Sequence, residues 1–227
     1  MLMTKLPEIL ICSNATRHGM VLTLSSSLIL LLLLTIGQYF WQAAKLPLIF
    51  LVLAAFVCLV VGIVKIIEPQ YSFKLNPKSL KFIHRKGIWS LPWSLINNIR
   101  PVKNVSGIAT EELAYVGLTL TNINEVAARI PPRLANHLIH EQRPILLYCV
   151  SRGLLPIEEI VINFNEFVIG KKVLKGPVAG FLHQCVLLHA IFGAHLFIPQ
   201  TCIDRSMDDF SALLRDCKNC HSHYLTE

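Results

Sequence analysis

Apolar and polar positions fall into two regimes along this chain. From Met20 to Trp41 no side chain is charged, and from Leu46 to Ile67 only Lys65 is. Both runs are unbroken rather than periodic, so neither reads as a surface helix with one apolar stripe. At about 1.5 Å per residue each covers the roughly 30 Å hydrocarbon core of a bilayer. Gln42, Ala43, Ala44 and Lys45 alone separate them, which predicts a transmembrane helical hairpin with spans over 20–41 and 46–67. Tyr39 and Trp41 close the first span as an interfacial anchor, and Lys65 reaches the headgroups by snorkelling. A cleavable signal peptide would need a shorter apolar run and a small-x-small cleavage site, and would not lead into a second span.

Beyond the second run the period changes to two. Tyr71, Phe73 and Leu75 alternate with Ser72 and Lys74; Leu80 and Phe82 flank Lys81; Trp89, Leu91 and Trp93 follow. Asn76-Pro77-Lys78-Ser79 and Arg85-Lys86-Gly87 supply the turns. The pattern predicts two successive β-hairpins. Leu95, Ile96 and Ile99 mark a further short segment, and Tyr115 to Leu120 another strand. Pro131-Pro132 opens a helix over 133–143, stopped by Pro144, with Leu134, Ala135 and Leu138 inward. Strands are expected over 160–164 and 167–169, and Gly170-Lys171-Lys172 is the next turn. Pro177 to Phe192 is an apolar helix ended by Gly193, Leu196 to Pro199 a last strand, and Ser206 the N-cap of a closing helix that carries Asp208 and Asp209 in its first turn. This order is mixed and non-repeating, which indicates α+β rather than βαβ winding. The uncharged stretch 178–198 is long enough to suggest a third span, but His183, Gln184, His189, His195 and the Gly193 break make it a core helix followed by a strand.

Composition sharpens the division. The chain has 227 residues, 53% of them apolar and only 15% charged, against about 25% charged in an ordinary soluble domain. Its formal charge of +7 is local: residues 71–103 hold seven Lys or Arg and no acid, whereas 104–227 hold ten basic and twelve acidic residues. Lys5 and Arg17 precede the first span and the basic block follows the second, so the positive-inside rule expects both termini in the cytoplasm. Seven cysteines, an odd number scattered through spans and core, fit reduced thiols.

The sequence of elements, together with Ser90-Leu91-Pro92-Trp93-Ser94-Leu95-Ile96-Asn97-Asn98-Ile99 after the basic turn, resembles the opening of bacterial PH-like domains. Leu196-Phe197-Ile198-Pro199 and the helix bearing Phe210, Leu213 and Leu214 resemble their closing strand and helix. More narrowly, His84-Arg85-Lys86-Gly87-x-Trp89 with Ile203-Asp204-Arg205 is similar to an uncharacterised family of two-span membrane proteins from marine gammaproteobacteria. This resemblance implies a mixed α+β, PH-like cytoplasmic domain and no known activity. The expected organisation is a cytoplasmic tail over 1–19, the hairpin over 20–67, the PH-like domain over 68–216 and a flexible tail over 217–227.

Candidate chemistry is sparse. No nucleophile elbow, P-loop, dinucleotide fingerprint or paired-carboxylate cluster occurs, so no catalytic residue is assigned and the protein is not expected to be an enzyme. Cys217-Lys218-Asn219-Cys220-His221, with His223 behind, has the spacing of a haem attachment or half a zinc site, yet no second pair complements it. In His137-Leu138-Ile139-His140-Glu141 the histidines are three apart and the glutamate follows them, the wrong order for a zinc-hydrolase helix. An envelope metal protein or hydrolase built on His137, His140 and Glu141, or on Cys217 and Cys220, is the runner-up reading; no metal and no cofactor are assigned. His183, His189 and His195 are six apart and cannot converge from one helix. In the second span Ala54, Cys58 and Gly62 recur every four residues as a stripe for helix packing or for a homodimer.

The reading that absorbs most of these features is a multi-pass protein of the bacterial inner membrane. Lys74, Lys78, Lys81, Arg85 and Lys86 are candidates for docking the domain on the bilayer through anionic lipid headgroups. A membrane or cytoplasmic protein is a further expected partner; nucleic acid is not, because Trp89 and Trp93 alternate inward and leave no stacking platform.

Overall fold

The computed structural model describes residues 8–13, 18–42, 44–106 and 109–224, with side chains omitted at 104–106, 109–112 and 222–224. Lys5, Arg17 and the side chain of His223 lie outside the described residues. The chain divides into two compact units, one of residues 13–70 and one formed by 1–12 together with 71–227.

The smaller unit holds helices α1 (Gly19–Phe40) and α2 (Lys45–Ile67), which pack against each other and are both long and apolar enough to cross a membrane. On α1 the positions least open to solvent include Gly19, Thr23, Ser26, Leu30, Leu33 and Gly37, and on α2 Leu48, Val52, Ala55, Leu59 and Gly62. Both series step by four and three, the repeat that keeps one helix seam on its partner. Gly62 marks its closest approach, since a Cβ there would lie 2.9 Å from the Thr23 backbone nitrogen. Ala54 and Cys58 are exposed and off this seam, so of the expected stripe only Gly62 packs the two helices together. A four-residue step overshoots a full turn by about 40°, so a run of fours drifts off the contact line, whereas Leu48, Ala55 and Gly62, seven apart, stay on it.

The larger unit contains a four-stranded antiparallel sheet, β1 (Ile9–Cys12), β2 (Tyr71–Leu75), β3 (Ser79–His84) and β4 (Gly87–Pro92), in that order. A second sheet orders β5 (Ile96–Ser106), β6 (Ala109–Leu120) and β9 (Leu196–Pro199). Both hairpins of the basic meander form with the expected alternation: Phe73 pairs Phe82, and Phe82 pairs Trp89, all facing inward. The inner residues of the two sheets share one core with Val116, Leu118 and Ile198. Trp93 is fully buried and donates from Nε1 to the Asn76 carbonyl at 2.8 Å.

β1 was not foreseen. It lies in the segment read as a cytoplasmic tail, on the far side of both helices, yet Ile9, Leu10 and Ile11 pair with Leu75, Lys74 and Phe73. Ile11 is fully buried. Four apolar residues in a row, with no alternation, carry too little local signal; only a waiting edge, β2, makes them a strand.

Between β6 and β9 lies an insertion of helices α3 (Asn124–Ala127), α4 (Pro132–Glu141), α5 (Arg143–Ser151) and α6 (Pro177–Phe192), with a small ribbon of β7 (Phe167–Ile169) and β8 (Lys172–Leu174). Pro144 does not merely stop α4. It sits in the first turn of α5, where its missing N–H has no helical partner to lose. The strand expected over 160–164 is absent: Ile157–Ile160 is a 3-10 turn, and the Asn163 side chain accepts from the Asn165 amide at 2.9 Å, closing the chain into a turn. α6 buries Val178, Phe181, Leu182, Cys185 and Leu188 as a core helix and ends at Gly193, whose φ of 68° suits glycine.

Helix α7 (Met207–Tyr224) starts at Ser206, whose Oγ accepts from the Asp209 amide at 3.1 Å and donates to its carboxylate. It buries Phe210 and Leu214, the former 5.6 Å from the Phe73 ring, and Arg215 donates to the Ile99 carbonyl. The expected tail from 217 is therefore helical up to Tyr224, because Cys217 still packs on the core.

Ile11→Ala should destabilise the larger unit by about 2–5 kcal/mol, the range for a buried aliphatic truncation. Urea unfolding of the full chain in micelles measures this, and a midpoint equal to wild type would return β1 to the status of a tail. Gly62→Leu should cost about 1–3 kcal/mol of hairpin stability by overpacking, while Ala54→Leu should be neutral; helical signal lost on heating compares the two.

Candidate functional site

The polar residues singled out on α4 do not stand alone. His137 and Glu141 are one turn apart on its face, and the β3–β4 turn brings His84 and Lys86 against them. The His84 and His137 rings stack at 4.2 Å, and Phe82 continues the stack beyond His84. Lys86 Nζ lies 3.4 Å from His137 Nδ1, and the Lys86 amide donates to His84 Nδ1 at 3.1 Å. An ammonium can only donate, so His137 Nδ1 is the acceptor and its proton sits on Nε2, 3.7 Å from Glu141 Oε2.

Glu141 stands at the rim of an apolar cavity between the two sheets, bordered by Phe82, Leu138, Phe197 and Pro199. Cys202, in the turn after β9, donates its thiol to Glu141 Oε1 at 3.8 Å, while Oε2 is buried without a hydrogen bond. Burial pushes the Glu141 carboxyl up, against the opposing pull of Cys202 and Lys86. Burial also lowers His137 to about 4, helped by His84, Lys86 and His140. The His137–Glu141 contact has ion-pair spacing, yet both partners are driven toward neutrality, so it contributes little as a charge pair. Burial and the nearby Glu141 push the Tyr115 phenol up as well.

This cluster does not suit a cation. Lys86 occupies the free nitrogen of His137, and no group of three or more His, Cys, Asp or Glu able to hold a metal occurs among the described residues. Cys217 and Cys220 are on α7, which packs on β5 and β6 rather than on α4. Burial, Cys220 and Asp216 push the Cys217 thiol up, opposite to what a reactive thiolate requires. Cys149 is held at about 11 by burial.

The five basic docking candidates occupy three places. Lys74 and Lys81 are directly paired across β2 and β3 on the outer sheet face, and Lys74 is bridged to Glu8 at 2.6 Å. Lys78 is in the β2–β3 turn; Arg85 and Lys86 are in the β3–β4 turn at the other end of β3, some 17 Å away by strand length. Ile88, 59% exposed, lies beside that second turn.

His189 and His195 do meet, with rings stacked at 3.9 Å. The six-residue argument holds within a helix, but Gly193 turns the chain back before His195. His195 Nδ1 accepts from the Leu120 amide at 3.0 Å, and burial with His189 nearby lowers it to about 4. Sequence spacing could not reveal the His84–His137 stack or the contacts of Cys202 and Tyr115 with Glu141, which join distant segments, nor the His189–His195 stack, which depends on the reversal at Gly193.

Unfolded imidazoles take a proton near 6.5, whereas His137 and His195 do so near 4. Between these values the unfolded chain binds more protons, so acidification lowers stability; the raised Glu141 opposes this in part. The urea midpoint should fall between about pH 7 and pH 5, and the double variant His137→Asn/His195→Asn should fall less. An identical fall in both would show that these rings are not its source.

No curated protein and no solved structure matches the chain. One family model does, over residues 73–220, from the middle of β2 to the last turns of α7, and it covers both sheets except β1 and the start of β2. With well over half its length matched, the chain belongs to the family described as Protein of unknown function (DUF2982).

Proposed function

We propose that this protein is a non-enzymatic docking or interaction module held at the bacterial inner membrane by its hairpin, with both termini cytoplasmic. One observation carries the reading: β1 and β2, which flank the two apolar helices in sequence, pair in a single sheet. The chain thus leaves the domain at Cys12 and returns to it at Tyr71, which supports two crossings that keep the domain on one side of the bilayer. Lysine and arginine placement supports the cytoplasmic side.

A PH-like identity is supported by a four-stranded meander, a three-stranded second sheet and a closing C-terminal helix on the shared core. In this reading the hairpin is inserted in the first strand connection and α3–α6 in the last one. The outer-face Lys81 and the turn residues Arg85 and Lys86 meet anionic headgroups, each adding about 1 kcal/mol near the surface. Ile88 beside that turn adds an apolar contact at the interface. Lys74, paired with Glu8, contributes less.

The test uses the full chain, because removing residues 1–12 would strip β1 from the sheet. In nanodiscs containing phosphatidylserine, amides of residues 81–88 should exchange more slowly than in neutral nanodiscs, and Arg85→Glu/Lys86→Glu should abolish the difference. Equal exchange in both lipids would overturn the docking.

A further inference from the structure

A second cavity, of about 300 Å³, opens between α5, α6 and the segment 158–163. It is unconnected with the docking residues and is of a size that small ligands occupy. Leu146, Ile160 and Leu187 provide apolar wall. Its polar lining offers several acceptors. Glu158 and Glu159 project from the 3-10 turn and have no ion-pair partner among the described residues. Gln184 spends its amide protons on Gln142 Oε1 and the Ile139 carbonyl, which leaves its own Oε1 to accept. Asn163 Oδ1 takes one amide and keeps a second lone pair. His183, held edge-on to Phe167 at 4.9 Å, has a buried Nε2 with no hydrogen-bond partner. No lysine or arginine lines the cavity, although the chain carries 21 of them.

Two unneutralised carboxylates, neutral acceptors and apolar wall in one concavity are complementary to a donor-only cation with a hydrocarbon portion. We propose that this cavity binds an ammonium group on a short apolar stem, such as a free alkylamine or a lysine side chain of a partner. The segment over it is closely fitted: a Cβ on Gly180 would come within 3.0 Å of the Phe164 ring and 3.4 Å of the Asn163 carbonyl. Gly180→Ala must therefore displace the segment that bears the acceptors.

The test titrates the full chain in neutral nanodiscs with n-butylammonium, 1-butanol, butanoate and N-acetyl-lysine methylamide, following the His183 imidazole resonance, which His183→Gln identifies. Butylammonium should shift it saturably, butanol and butanoate should not, and Glu158→Gln/Glu159→Gln, two exposed substitutions that leave the core alone, should weaken binding by at least ~10-fold. Capped lysine binding tighter than butylammonium would identify a protein side chain as the source, and the reverse order a free amine. A response to butanol equal to that of the amine, no saturable response to either ammonium, or unchanged affinity in the double glutamine variant would overturn the proposal.

Discussion

The ladder between β1 and β2 is the constraint from which the rest of the architecture follows. A strand at a sheet edge presents unpaired amides and carbonyls that invite unwanted pairing. Here β2 would be that edge were it not for Ile9–Cys12. Satisfying it brings the segments that precede and follow the two apolar helices in sequence into one ladder. It also places Ile11 under Phe73 in the same core that α7 closes with Phe210. The Cys12 amide donates to the Asp204 carboxylate, whose pKa burial pushes up but Arg205 and the Cys12 amide together bring below its ordinary value, so β1 is tied to the approach to α7.

On that frame the insertion between β6 and β9 carries most of the chemistry available to the protein. α4 contributes His137 and Glu141 to one side, α6 contributes His183 and Gln184 to another, and Gln142 with Gln184 joins the two helices in an otherwise apolar contact. The five basic docking candidates belong instead to the meander, whose Lys86 also reaches His137.

Long, regular patterns were legible in the sequence. The apolar runs, the meander, α6 with its Gly193 stop and the Ser206 cap are all written locally, and the structure reproduces them within a residue or two. What escaped depends on partners far along the chain. β1 needs β2; α5 needs a proline to serve as a start; and 160–164 alternates like a strand but has no edge to join. The stacks His84–His137 and His189–His195 arise from tertiary contact and a reversal at Gly193. Of the docking residues, composition revealed the sign and the segment, but only register separates the Lys74–Lys81 face from the two turns.

Ile11 and Phe73 are about 60 residues apart, and the intervening stretch is almost entirely hydrocarbon-like. Closing so long a loop as free chain in water would expose two greasy helices. A chain in which this pairing has not formed presents β2 as an open sheet edge, with the backbone groups of Tyr71–Leu75 unpaired on that side.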